Sequence, residues 1–123
     1  MRIINLASGS KANSTFIDYS RKKMLIDVGL NEKQLIQRLA DIGEKLSDVL
    51  AVCITHEHID HIRGIKTLEK KYDIDFYIKT ELAESSFLAD IEFKEGRLHK
   101  IESGNFSVGD LEVTAFDVSH DAI

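Results

Sequence analysis

The chain has 123 residues, 43% of them hydrophobic and 30% charged, with a formal net charge of −5. This length suits one domain, residues 1–123, and the composition excludes a disordered polymer. No apolar run approaches the ~20 residues of a membrane helix, so we expect no membrane partner. The single cysteine, Cys53, cannot form an internal disulfide, and the N-terminus lacks the pattern of a secretory signal. We therefore expect a cytoplasmic protein.

The first half of the chain alternates between apolar runs and one helical segment. Four strands are predicted, at residues 2–6, 15–18, 24–27 and 50–54. The last of these is apolar throughout, which is typical of a strand buried on both faces. Before it, Asn31 is a predicted helix N-cap with Gln34 in the capping-box position, and Gly43 ends that helix.

The second half continues this alternation. We predict helices at residues 62–72 and 81–89, strands at 76–78 and 111–118, and a turn at 107–110 between two strand-like stretches. Strands that alternate with helices indicate an α/β fold in which at least part of the sheet is parallel.

Three of the five histidines lie in the segment THEHIDH, residues 55–61, directly after the buried fourth strand. α/β proteins usually place their chemistry at this end of a strand. His56 and His58 can converge on one point, while Asp60 and His61, on the predicted bend that follows, are close enough to face a second point. Imidazoles and a carboxylate are ligands that divalent zinc, iron and manganese accept.

Two other interpretations of this segment are weaker. The zinc-protease helix motif H-E-x-x-H fails, because Asp60 stands where its second histidine would be. A solvated polar loop is the simplest alternative, but random order with this composition produces the pattern in roughly one chain in a thousand. Without a metal, four such groups would each need a hydrogen-bond partner when buried. The spacing therefore predicts a metal site.

The segment HEHIDH, residues 56–61, also resembles the signature of the metallo-β-lactamase fold hydrolases. Residues 25–29 (LIDVG), 51–58 (AVCITHEH) and 118–122 (VSHDA) are similar to further motifs of that family. Residues 5–15 (NLASGSKANST) are similar to the start of its nuclease and phosphodiesterase branch, notably the bacterial YycJ-type exonucleases. The resemblance implies an α/β fold that is half of an αββα sandwich, with a mixed sheet and helices on one face.

The resemblance also assigns metal ligands by position. It implies that His56, His58 and His120 hold one divalent metal, zinc or manganese, and that Asp60 and His61 begin the shell of a second. Asp60 would in addition be catalytic, because it would help to orient the nucleophilic water. On position alone, His120 is equally well explained as a surface histidine at the end of a strand.

Further expectations concern Asp27, the extent of the chain, Cys53 and His99. Asp27 is expected to accept hydrogen bonds that orient the ligand loop, although an ordinary turn aspartate is the alternative. The family completes its second metal site with residues farther along than Ile123, so we expect this chain to be the N-terminal part of a longer protein. Cys53 is expected to be a small core residue, and His99 a solvated histidine.

Three functions remain open from the sequence. The first is phosphodiester hydrolysis of nucleic acid by metal-activated water, and the second is hydrolysis of an acyl ester, thioester or lactone by the same fold. The third is a catalytically incomplete fragment that only binds metal and associates with itself. In that case one sheet face would lack its cover, and a homodimer would bury the exposed apolar patch.

Overall fold

Six strands form one mixed sheet whose spatial order is their order along the chain. The computed structural model describes residues 1–7, 13–54, 59–86, 88–102 and 105–114, with the backbone alone for residues 59–63. The strands of this sheet are β1 (Arg2–Ala7), β2 (Ser14–Tyr19), β3 (Lys22–Ile26), β4 (Ala51–Ile54), β5 (Asp75–Lys79) and β6 (Leu98–Ile101).

Strand direction divides this sheet into two parts. β1, β2 and β3 are antiparallel neighbours, whereas β3, β4, β5 and β6 are parallel. Ser20 and Arg21 form the turn between β2 and β3, and both have positive φ, 49° and 67°, as the tight hairpin turn of type I′ requires. All strands except β2 therefore end at the same edge of the sheet, which we call the C-terminal edge.

The helices connect the parallel strands and lie on one face of the sheet. They are α1 (Glu32–Asp41), α2 (Ile59–Lys71) and the short α3 (Thr80–Ala83). The start of α1 is the capping box predicted from the sequence: Asn31 Oδ1 accepts from the Gln34 N–H at 2.8 Å, and Gln34 Oε1 accepts from the Asn31 N–H at 3.1 Å. Gly43, with φ of +77°, follows the end of the helix.

The main hydrophobic core lies between these helices and the sheet. Its fully buried side chains come from both layers and include Phe16, Leu25, Val52 and Phe76 of the strands and Leu35, Leu39, Ile65 and Leu68 of the helices. The α/β fold class, with a mixed sheet and helices on one face, is thus confirmed. None of the helices in the described ranges is long and apolar enough to cross a membrane.

A β-hairpin covers part of the opposite sheet face. It consists of β7 (Asn105–Val108) and β8 (Leu111–Thr114), and Val108 packs in a second cluster with Met24, Ala51 and Cys53. At its turn Gly109 has φ of +60° and lies against the Lys22 side chain, whose Nζ is 3.6 Å from Asp110 Oδ2. The expectation of an uncovered sheet face is therefore only partly right.

Several predicted boundaries were wrong. α2 begins at Ile59 rather than at residue 62, so Asp60 and His61 lie in its first turn and not on a bend. The helix predicted for 81–89 ends at Ala83, where the Ser85 hydroxyl donates to the Leu82 carbonyl at 2.6 Å and competes with helical hydrogen bonds.

Two strands near the C-terminus also differ from the prediction. β6 was not predicted, because its two central residues are polar and the strand has only four residues. The strand predicted for 111–118 is confirmed as far as Thr114, and residues 115–118 lie outside the described part.

The position of Cys53 between sheet and hairpin leads to a testable prediction. The thiol is buried, and desolvation, followed by the nearby Asp27 carboxylate, raises its pKa to about 12. Because the thiolate is the reactive form, we expect a disulfide reagent to label Cys53 at least ~100-fold more slowly in native protein than in urea. A matched control is the Cys53→Ala, Ser47→Cys double variant, whose thiol stands at an exposed position. Equal labelling rates for the two native proteins would contradict the burial.

Candidate metal centre

The candidate metal centre lies at the C-terminal edge, where β4 ends at Ile54 and α2 begins at Ile59. His56 and His58 belong to the segment between these elements, residues 55–58, which lies outside the described residues, as does His120. The side chains of Asp60 and His61 also lie outside them, although their backbone is in α2. The convergence of these five side chains on a metal site therefore stays a prediction. The structure describes the strand before the motif, β4, and the backbone of the helix after it, α2.

Asp27 is brought next to the end of β4, the strand that precedes the ligand segment in the sequence. It follows β3 directly, and its N–H donates to the carbonyl of Cys53 at 2.8 Å, one residue before the end of β4. The residue is only 5% exposed and has φ of +62°, a left-handed conformation that aspartate adopts more readily than most residues. Such strained, buried positions cluster at functional sites. Its role in orienting the ligands stays a prediction.

Two loops at this edge are held against each other. Gly29, after β3, donates from its N–H to the carbonyl of Asn13 at 2.8 Å, just before β2. Arg38 of α1 donates from Nη1 to the carbonyl of Leu6 at 2.8 Å, near the end of β1. The ends of β1 and β3 and the beginning of β2 are thus tied together at the C-terminal edge, on one side of β4.

The beginning of α2 packs closely on the turn that contains Asp27. A Cβ atom built on Gly64 would lie 3.0 Å from Val28 Cγ1, 3.4 Å from the Val28 carbonyl oxygen and 3.5 Å from that of Leu30. Only the first of these distances is tighter than ordinary van der Waals contact. The absence of a side chain at Gly64 therefore lets the helix that carries Asp60 and His61 approach the Asp27 turn.

We expect Gly64→Ala to displace the start of α2 and to weaken divalent-metal binding by about 10-fold or more, a loss comparable to that from removing a partner of a metal ligand. The added methyl group also overpacks the interface, at a cost of about 1–3 kcal/mol in the free energy of unfolding. Isothermal titration with Mn²⁺ or Zn²⁺ and urea denaturation measure the two effects.

Val28→Ala supplies the matched control, because it removes Val28 Cγ1, the atom that the new methyl group at position 64 would meet too closely. In the double variant we expect part of both losses to be restored, so that the effects of the two changes are not additive. Strictly additive losses would show that the Gly64–Val28 contact does not position the helix.

The donor types of the motif fit a divalent metal. The imidazoles of His56, His58 and His61 and the carboxylate of Asp60 match the nitrogen and oxygen ligands of zinc and manganese. Among the described residues alone, no group of three histidine, cysteine or acidic side chains is placed to hold a metal. The candidate centre therefore depends on the motif and its two flanking elements.

The His99 side chain is 41% exposed, in line with the solvated histidine expected from the sequence, but its ring also makes contacts that were not expected. Its ring stacks on that of Tyr77, with centroids 4.5 Å apart and planes 11° apart. The Nε2 atom is shielded from solvent, has no hydrogen-bond partner within the described ranges, and lies 3.7 Å from Asp75 Oδ1. Sequence reasoning missed this placement because β6, the strand that carries His99, was not predicted.

Comparison with known proteins agrees with the α/β fold described above. The sequence model of the metallo-beta-lactamase superfamily matches residues 8–121. An exodeoxyribonuclease WalJ of Streptococcus pneumoniae is 39% identical over 123 residues, which is 96% of this chain and 45% of the relative. An exodeoxyribonuclease YycJ of Bacillus anthracis is 35% identical over 95% of this chain and 45% of its own length.

Solved structures agree at the level of the fold. The Rm3 metallo-beta-lactamase superposes with a TM-score of 0.66 and 22% identity, over 91% of this chain and 47% of that protein. This chain spans somewhat less than half the length of the curated relatives described above.

Proposed function

Because the chain belongs to the metallo-beta-lactamase superfamily, we propose that it carries the metal-binding half of a hydrolase that cleaves phosphodiester bonds in nucleic acid. The observation that carries this proposal is the HEHIDH motif shortly after β4, the strand to which the buried Asp27 is hydrogen-bonded. The likeness to two exodeoxyribonucleases favours nucleic acid as the substrate class.

Each residue of the motif has a proposed role. His56, His58 and His120 hold one divalent ion, Zn²⁺ or Mn²⁺, while Asp60 and His61 contribute to the shell of a second. When bound, such an ion would lower the pKa of coordinated water toward about 7. The Asp60 carboxylate accepts a hydrogen bond from the attacking water and thereby orients it. Asp27 fixes the ligand loop from the side of β3.

The acyl-hydrolase alternative requires a direct test. We expect the purified chain, supplied with Mn²⁺ or Zn²⁺, to hydrolyse bis-p-nitrophenyl phosphate in preference to a thioester. Asp60→Asn removes this turnover, whereas Asp90→Asn, at an exposed position far along the chain, is the matched control and keeps it. Preferential thioester hydrolysis would favour the acyl-hydrolase function. Bound metal without turnover of either substrate would favour a fragment that only binds metal.

Two coarser expectations belong to the same proposal. The lone, buried Cys53 suits a reducing compartment, and we place the activity in the cytoplasm.

Ile3 is 59% exposed although it pairs with Ile17, which packs at the margin of the second apolar cluster. A second copy of the chain would cover this margin, and sedimentation at micromolar concentration distinguishes a dimer from a monomer.

A further inference from the structure

A second concave site lies beside β6, on the sheet face that the hairpin covers. It is a cavity of about 480 Å³, and Tyr77 of β5, His99 of β6 and Phe106 of β7 contribute to its walls. We call it the aromatic cavity. Its volume is within the range of small-molecule sites.

The aromatic rings of this cavity are nearly parallel. The Tyr77 ring stacks on His99 at 4.5 Å, with 11° between the planes, and on Phe106 at 5.5 Å, with 21° between the planes. In the described part of the chain β6 is the edge strand of its sheet, and the His99 side chain is 41% exposed. The stack therefore ends at the sheet edge on a ring that solvent can reach, and a further planar ring can extend it.

Polar groups surround these rings. Asn105, Lys100 and Glu102 also line the cavity. Lys100 pairs with Ile78 of the helix-side core, and its Nζ lies 3.3 Å from Glu84 Oε1, so its charge is on the other face of the sheet. His99 Nε2 has no hydrogen-bond partner within the described residues. Stacking rings beside polar groups suit a planar heteroaromatic ligand that carries hydrogen-bonding groups.

The aromatic cavity lies close to the proposed metal centre. Ile78 of β5 pairs with both Ile54 of β4 and Lys100 of β6, so two strand spacings, ~10 Å, separate the last residue of β4 from its counterpart on β6. β4 and β6 both end at the C-terminal edge. A strand of nucleic acid whose phosphate occupies the metal centre can therefore place a nearby base in the cavity.

We propose that the aromatic cavity is a nucleobase-binding subsite for single-stranded nucleic acid. This inference rests on the proposed function, because it names how the substrate of that same site is held. The incoming base stacks on the exposed side of His99, beside Asn105, whose amide oxygen accepts from Thr114 Oγ1 at 2.9 Å. Stacking of this kind tolerates any base, since every base has an aromatic face.

Binding of a fluorescein-labelled single-stranded oligonucleotide, followed by anisotropy, tests the subsite on the full 123-residue chain. We expect His99→Ala to weaken binding about 10-fold, and His99→Phe, which keeps an aromatic ring, to restore most of it. Lys45→Ala removes an exposed positive charge elsewhere and serves as the control for nonspecific attraction. Circular dichroism confirms that each variant is folded.

An abasic oligonucleotide of equal length separates base stacking from phosphate contacts. We expect wild-type protein to bind it as weakly as His99→Ala binds the intact oligonucleotide. Equal affinity of wild type and His99→Ala for the intact oligonucleotide would overturn the subsite, as would equal affinity of wild type for intact and abasic strands. A dimer that buries the cavity and that oligonucleotide does not dissociate would overturn it too.

The subsite and the proposed hydrolysis fail separately. Bis-p-nitrophenyl phosphate contains no nucleobase, so its turnover by wild-type protein reports only on the hydrolytic centre. Oligonucleotide binding that depends on the ring at position 99, without turnover of bis-p-nitrophenyl phosphate, would keep the subsite and reject the hydrolase. Turnover without such dependence would do the reverse.

Discussion

Replacement of both His56 and His58 by alanine is expected to abolish tight binding of divalent metal. These two imidazoles are the core of the proposed first metal site, and the remaining candidate ligands leave it with too few donors to hold an ion. We expect affinity for Zn²⁺ or Mn²⁺ to fall at least ~100-fold, together with complete loss of bis-p-nitrophenyl phosphate hydrolysis. Elemental analysis after dialysis measures the number of metal ions per chain.

His99→Phe is the matched control for this experiment, because it removes a histidine that lies outside the motif. The control should retain the metal content of the wild type. Thermal unfolding with and without added metal provides a second measurement, since an ion that binds only the folded chain raises its stability. Full metal content in the double variant would rule out this site.

The second large effect is expected from Phe76→Ala in the main core. Phe76 is completely buried on β5, between two parallel neighbours, and its ring meets that of Phe93 edge to face at a centroid distance of 5.4 Å. Removal of such a ring costs about 3–5 kcal/mol, from lost apolar burial and from the cavity left behind. Since small domains are stable by only ~5–15 kcal/mol, we expect a large shift of the urea midpoint.

Ile36→Ala is the matched control, because Ile36 is an apolar residue of α1 that is 46% exposed. We expect the change in its free energy of unfolding to stay below about 1 kcal/mol. Similar losses for the two variants would mean that Phe76 is not at the centre of the core.

The parts of the fold that were predictable are those that local sequence determines. The capping box at Asn31 involves residues three apart, and the apolar run of β4 needs no partner to be recognised as buried. The turn at 107–110 between two strand-like stretches was likewise predicted, and it lies in the β7–β8 hairpin. The pairing of β6 and the packing of the hairpin on the sheet are different, because they depend on residues far away in the sequence. Lys22 beneath the turn at Gly109 is such a contact, and nothing in either local segment indicates it.

The candidate site likewise has features that the sequence predicts and features that it does not. The motif of residues 55–61 is visible because its donors are adjacent, and the family resemblance added Asp27. The approach of Gly64 to Val28 joins α2 to the turn after β3, two segments that are far apart in the sequence, and was not predicted. The stacking of the His99 ring was not predicted either, because its partner Tyr77 lies on the neighbouring strand.

The division of the sheet into antiparallel and parallel parts has a consequence for the order of folding. The β2–β3 hairpin closes through a tight turn at Ser20 and Arg21, and such hairpins form within about 1–10 µs. β3 can pair with β4 only after the intervening crossover has been ordered, and such long-range contacts form slowly. We therefore expect Asp27 to reach its neighbour on β4 late, so that the proposed metal centre would be completed only near the end of folding.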